Sequence, residues 1–345
     1  MSSGATREHG SLAPLVTGMD ERRTLRSQLW GRISEEYIHT RRDDALLAEL
    51  QGLVDTTLVS IEGGHPEGRM LAVVGQPGAG KTWSIERALA RLPGLADSGT
   101  LLAVTAPSPS TLKQLGRATL RGLGYPLAKE MPEHILWEKV RQHLALTGTR
   151  FIWIDEMHHA MGRGGDSELT RLCDVLKSVM QQRDWPVSLI LSGLPTVSAF
   201  VGRDRQVERR SRTLRFDPLS FPKHAEMLRT LLTDIIRVHA GVGMDGLQTD
   251  EFLHRLCRAG EGEFGTIIAL VRQAIMAAFD RAGPGSSVGI EDFAREFMRQ
   301  RGCSPEQNIF LAAEWDLIDP RDNRQSPIAE IQASESIRRR KRGAR

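Results

Sequence analysis

Cysteine is scarce in this chain of 345 residues: only Cys173, Cys257 and Cys303 occur, odd in number and far apart. Such usage excludes a disulfide framework and the paired-cysteine spacing of a structural zinc site, and it suits a reducing compartment. Aromatic residues make up only 5% of the chain, with two tyrosines. No apolar run is long enough to span a bilayer, and the first residues lack the charged, apolar, small order of a secretion signal, so no membrane role is expected. A dominant charge is missing too. The net charge is +3, although Arg far outnumbers Lys, so the places where arginines cluster say more than the total. The length allows one large domain or two modest ones around ample cores.

What is present is a phosphate loop. Gly75-Gln76-Pro77-Gly78-Ala79-Gly80-Lys81-Thr82 fits G-x-x-x-x-G-K-[ST] and directly follows the apolar run Met70 to Val74. The glycines let consecutive N–H groups curl around an anion, and the next helix aims its positive end at the same place. These residues, with Trp83 behind them, are the expected ATP contacts. Lys81 would reach the β- and γ-phosphates, and Thr82 would offer its hydroxyl to Mg²⁺.

Strands are expected at 70–75, 100–105, 150–155, 187–191 and 213–216, with helices at 81–92, 110–123, 133–146 and 168–183 between them. That alternation predicts an α/β fold, a five-stranded parallel sheet with helices on both faces. Five segments follow: a disordered lead-in over 1–20, a helical segment over 21–66 and an ATPase core over 67–220. A small all-helical lid spans 221–303, its first helix opened by Pro222. A tail spans 304–345, with one apolar patch from Ile309 to Ile318 and a basic end at Arg338 to Arg342.

The strand Phe151 to Asp155 delivers two carboxylates to the sheet edge where ligands bind in open α/β folds. Asp155 would hold Mg²⁺, and Glu156 would polarise the attacking water. His158 and His159 follow at once. Adjacent histidines on a helix do not chelate, because same-face ligands fall three or four apart, so a role supporting the neighbouring site residues, or packing, is expected rather than metal binding. Ser192 ends the strand that starts at Val187. It either faces the γ-phosphate or simply opens the turn before Pro195. Arg203, Arg205, Arg209, Arg210, Arg212 and Arg215 crowd the segment before the fifth strand. They read as a solvated basic face, or as a source of an arginine finger completing a neighbour's site. On the helix 110–123, Lys113, Arg117 and Arg121 recur every four residues, a stripe that is either solvated or tracks the phosphates of duplex DNA without reading bases.

With Asp155 and Glu156 on the third strand, Ser192 on the fourth, arginines before the fifth and a helical lid, the chain resembles the AAA+ ATPases. Arg210-Ser-Arg-Thr-Leu-Arg-Phe216 is similar to the arginine-finger segment of clamp-loader relatives, which implies a finger at Arg210 with Arg209 next. One departure stands out: Gly265 occupies the place of the lid's usual second sensor arginine, with Arg272 as a distant substitute. Within that class the chain resembles the TniB/TnsC transposition regulators, with MuB as a functional cousin. The resemblance spans about residues 25–300. It is carried by Ala106-Pro-Ser-Pro-Ser-Thr111-Leu-Lys113, Leu123-Gly-Tyr-Pro126, Ile154 to His159, Gly262 to Leu270 and Tyr37 to Arg42.

The resemblance implies a bacterial, cytoplasmic ATPase that assembles with ATP and Mg²⁺ into rings or helical filaments on double-stranded DNA. It further implies recruitment of a transposase, a target-selection partner in some systems, and disassembly on slow, switch-like hydrolysis. Loss of residues 320–345 would then abolish transposase recruitment. Two other readings stay open. One is a replication-initiator or clamp-loader-like ATPase, a class that commonly appends a winged-helix domain after the lid, where about 45 residues remain here. The other is a scaffold that binds nucleotide with little turnover.

Overall fold

The computed structural model describes residues 20–95, 98–108, 110–127, 130–161 and 165–321. The expected lead-in, apart from Asp20, and the basic end at Arg338 to Arg342 lie outside the described residues. Two compact units are present: residues 39–218, and the described residues up to 38 together with those from 219 onward.

The first unit is a three-layer α/β sandwich. After α1 (Glu21–Glu35), which belongs to the second unit, come α2 (Arg41–Glu62), β1 (Met70–Gly75), α3 (Lys81–Ala90), β2 (Leu101–Thr105), α4 (Leu112–Gly122) and α5 (Glu133–Leu146). They are followed by β3 (Phe151–Asp155), a 3₁₀ turn over Met157–Met161, α6 (Gly165–Met180), β4 (Ser188–Gly193), α7 (Thr196–Val201), the single-turn α8 (Arg205–Glu208) and β5 (Ser211–Phe216). All pairings in the sheet are parallel, and the strand order is β2-β3-β4-β1-β5.

The strands β1, β3 and β4 are buried on both faces, which is why they read as continuous apolar runs. Their side chains alternate between two cores. Met70, Ala72, Val74, Ile152, Ile154, Leu189 and Leu191 pack with α4 to α7, whereas Leu71, Val73, Phe151, Trp153 and Ile190 pack with α2 and α3. The edge strand β5 begins two residues earlier than expected, and β4 runs on to Gly193. Half of β5 is exposed and only Phe216 is fully buried, so it lacks the apolar signature that marks the inner strands.

The helical segment expected over 21–66 is broken into α1 and α2. Thr40 caps α2: its N–H and hydroxyl both donate to Asp43 Oδ2, at 2.7 and 2.8 Å. The helical segment expected over 21–66 is therefore shared between the two units.

The second unit packs α1 with α9 (Ala225–Leu232), a π-helical turn over Thr233–His239, α10 (Asp250–Ala259), α11 (Phe264–Ala282) and α12 (Ile290–Arg301). It is not wholly helical, because Gly243–Met244 and Ser287–Val288 form a short parallel ladder. Pro222 does not open α9. It lies in the preceding turn, where its carbonyl accepts from Ala225 N. Residues 304–318 run across this unit, where Ile309 and Phe310 are buried in the core. Arg255 donates to the Ile309 and Ala312 carbonyls and Arg258 to that of Ile318. Among the described residues no single helix is long and apolar enough to cross a membrane.

Candidate nucleotide site

Between β1 and α3 the chain turns through Gly78 (φ 82°) and Gly80 (φ 90°), left-handed positions that glycine adopts without strain. Gly75 is required for another reason. A Cβ there would meet the Phe216 carbonyl at 2.9 Å, so the loop's root and β5 approach each other closely. Lys81 is buried, and its Nζ donates to the carbonyls of Gly75 (2.9 Å) and Gln76 (3.0 Å) at the base of the loop. Trp83, by contrast, is 56% exposed on the outer side of α3.

β4 lies between β1 and β3, which brings Ser192 beside both the loop strand and the Asp155 strand. Four hydrogen bonds converge there. Asp155 Oδ2 accepts from Thr82 Oγ1 at 2.9 Å. Asp155 Oδ1 accepts from Ser192 Oγ at 2.5 Å and from the Glu156 N–H at 2.9 Å. Ser192 Oγ in turn accepts from Trp153 Nε1 at 2.8 Å. The expectation that Ser192 faces a phosphate is therefore modified: its single proton is committed to Asp155, and its role here is to hold that carboxylate in place. Trp153 went unnoticed in the sequence, although strand alternation places it on the same face as Asp155. The Thr82 hydroxyl and the buried Asp155 carboxylate form the hard oxygen pair that a Mg²⁺ ion takes beside a triphosphate, so the residues fit the expected metal.

The Glu156 carboxylate stands outside this cluster. The residue's φ of 53° ends the strand abruptly, and its carboxylate turns toward the next residues. Its Oε2 lies 3.3 Å from His158 Nδ1 and 3.9 Å from His159 Nε2. Burial pushes the His158 imidazole below its ordinary value, against the opposing pull of Glu156, so the ring is neutral at pH 7.

The arginines expected before the fifth strand separate into two groups, and Arg212 and Arg215 lie within β5 itself. Arg210 Nε pairs with Glu67 at 2.5 Å, Arg212 with Glu49, Arg203 with Asp166, and Arg215 donates to Ser198. Arg205 and Arg209 are exposed and have no side-chain partner among the described residues. β1 and β5 are parallel and in register from Met70–Ser211 to Gly75–Phe216. Arg209 and Arg210 thus sit at the opposite strand ends from the loop, about 16 Å away along the sheet. In the second unit, Arg272 donates to the Glu36 carbonyl at 2.9 Å, so it is not a free cation.

On α4, Leu112, Leu115 and Thr119 face the core. Lys113 and Arg117 do not form an open stripe, because Glu130 binds both: Lys113 Nζ directly, and Arg117 at 3.5 Å. The Lys113 ammonium holds the Glu130 carboxyl below the usual carboxylate range. Arg121 remains exposed.

Residues 65–201 match the family described as AAA domain. Three solved structures are similar over most of the chain. Cdc6p from Pyrobaculum aerophilum is 14% identical with a TM-score of 0.56, over 80% of this chain and 75% of that one. The ORC1 protein of Aeropyrum pernix, solved in complex with DNA, is 19% identical with a TM-score of 0.54, over 81% and 73%. The ADP form of the ORC2 protein of Aeropyrum pernix is 16% identical with a TM-score of 0.50, over 80% and 75%. The fold is that of the AAA+ P-loop ATPases. No curated protein matches by sequence. The loop on β1, the carboxylates ending β3 and the serine ending β4 all gather at one sheet edge, while Arg209 and Arg210 lie at the other and Arg215 pairs with Val74 beside the loop.

Proposed function

We propose that this chain is an ATP-hydrolysing switch that assembles head to tail on duplex DNA. The observation that carries the ATPase reading is Asp155, held by Thr82, Ser192 and the Glu156 N–H beside a loop of phosphate-binding geometry. Lys81 grips the β- and γ-phosphates, Thr82 and Asp155 hold Mg²⁺, and Glu156 takes a proton from the attacking water. Mg²⁺ supplies charge neutralisation of the triphosphate when bound. Because Arg209 lies at the far edge of its own sheet, it completes a neighbouring copy's site rather than its own.

The resemblance to TniB/TnsC proteins supports a transposition role: an assembly that recruits and activates a transposase, then comes apart on slow hydrolysis. The likeness to the ORC1 protein, solved with DNA, supports a second reading as a replication-type initiator. Both readings share nucleotide-dependent assembly on DNA. Electron microscopy of the full chain with duplex DNA and a non-hydrolysable ATP analogue should show rings or filaments that are absent with ADP. Single subunits under every condition would refute the switch.

The DNA contact has its own test. Glu130→Gln releases Lys113 and Arg117 for phosphates, so affinity for any duplex should rise and the log–log salt slope should steepen by about 0.9 per phosphate gained. Neutralising Lys113 and Arg117 together should do the reverse. If Glu130→Gln left both affinity and salt slope unchanged, α4 would not be the DNA face.

A further inference from the structure

Adjacent histidines diverge on an α-helix, but Glu156, His158 and His159 are not on one. The left-handed backbone at Glu156 and the 3₁₀ turn that follows fold the three side chains together. One ligand atom from each, a carboxylate oxygen and a nitrogen of each ring, lies within 4.8 Å of the others, and the two rings are 4.2 Å apart at 40°. His158 Nδ1 is buried and lacks a hydrogen-bond partner: the Glu156 oxygen at 3.3 Å is close without donor geometry. The ring is packed against Gly193, where a Cβ would come to 3.3 Å from the same nitrogen. A buried ring nitrogen left without a hydrogen bond beside a carboxylate is costly, and a cation between the two would satisfy both.

We propose that this turn is a zinc-class metal site, distinct from the Mg²⁺ position at Thr82 and Asp155, and that its occupancy switches hydrolysis off. Two imidazole nitrogens and one carboxylate oxygen are the donor set that Zn²⁺ takes when it keeps a fourth position for water, and imidazole selects against Mg²⁺. Ligand atoms around tetrahedral zinc are about 3.3 Å apart. The separations from Glu156 Oε2, 3.3 and 3.9 Å, are close to that, so side-chain rotation closes the site. The ion would take Glu156 as a ligand and so withdraw the carboxylate that activates water. The inhibitory half rests on the ATPase reading, whereas the binding half does not.

The test is a titration of the full-length protein with Co²⁺, without nucleotide and in excess Mg²⁺, followed by Zn²⁺ displacement. One equivalent of Co²⁺ should bind with a visible absorption band. His159→Ala, His158→Asn and Glu156→Gln should each weaken binding by about 10-fold or more. Binding of a fluorescent ATP analogue reports whether each variant is folded. If one variant fails that control, the other two decide. In the second arm, Zn²⁺ should suppress turnover by the wild type, and the ratio of rates with and without Zn²⁺ should approach one in His159→Ala. Equal Co²⁺ affinity in the wild type and all folded variants, or binding abolished by Mg²⁺, would overturn the site. Absent turnover with intact Co²⁺ binding would count against the ATPase reading alone.

Discussion

Glu156→Gln should lower ATP turnover by about 10²- to 10⁴-fold while leaving nucleotide affinity near that of the wild type. The amide keeps the shape of the carboxylate but cannot take a proton from water. Nucleotide affinity should survive because the binding groups lie elsewhere. Lys81 sits at the loop, and Asp155 is fixed by Thr82 and Ser192, none of which involves the Glu156 side chain. The variant should therefore accumulate in its ATP-bound form and persist on DNA as an assembly that the wild type would dismantle. Phosphate release and DNA dissociation, measured on the same sample, check both halves. A variant that hydrolyses at the wild-type rate removes Glu156 from the chemistry. A scaffold with negligible turnover would show no difference in either measurement.

Arg209→Ala should cost about 10³- to 10⁵-fold in turnover, the range seen when a guanidinium supplied in trans is lost from phosphoryl transfer. The resemblance alone assigns this role to Arg210. The structure favours Arg209, since Arg210 is held by Glu67 and Arg209 is exposed. The decisive measurement is mixing. Arg209→Ala protein has an intact cradle and lacks the finger, whereas Glu156→Gln protein has the finger and a dead cradle. Where the first lends its site and the second its arginine, an interface is whole, so the mixture should hydrolyse ATP faster than either variant alone. If mixing restores nothing, or if Arg210→Ala shows the larger defect, Arg209 is not the group that crosses.

The inner strands could be read from the sequence because burial on both faces writes them as unbroken apolar runs. The phosphate loop and the Asp155–Glu156 pair stand where those runs end. The break before α2 was harder to see. Thr40-Arg41-Arg42-Asp43 carries a capping pattern, yet apolar residues at helical spacing lie on both sides of it and suggest one continuous helix. Ser192 was visible as a small polar residue at the right strand end, but the sequence could not say that its proton goes to Asp155. Helical spacing likewise revealed the Lys113 and Arg117 stripe and hid Glu130, because that carboxylate comes from beyond the helix. The backbone at the histidine pair was hidden for a related reason. Helical geometry argues against chelation, and only the left-handed backbone at Glu156 removes that geometry. Beyond the break before α2, what escaped the sequence was a contact between residues well separated along the chain, or a single unusual backbone angle.

The parallel register of β1 and β5 has a consequence for growth. Whenever one copy's Arg209 enters the next copy's cradle, the joined surfaces are unlike, so a pair cannot close on itself by a twofold axis. Such a stack has a direction. One terminus offers a vacant nucleotide pocket and the other an idle arginine, so subunits arriving at the two extremities meet different chemistry. A single copy blocked at its pocket would poison one extremity and leave the other competent.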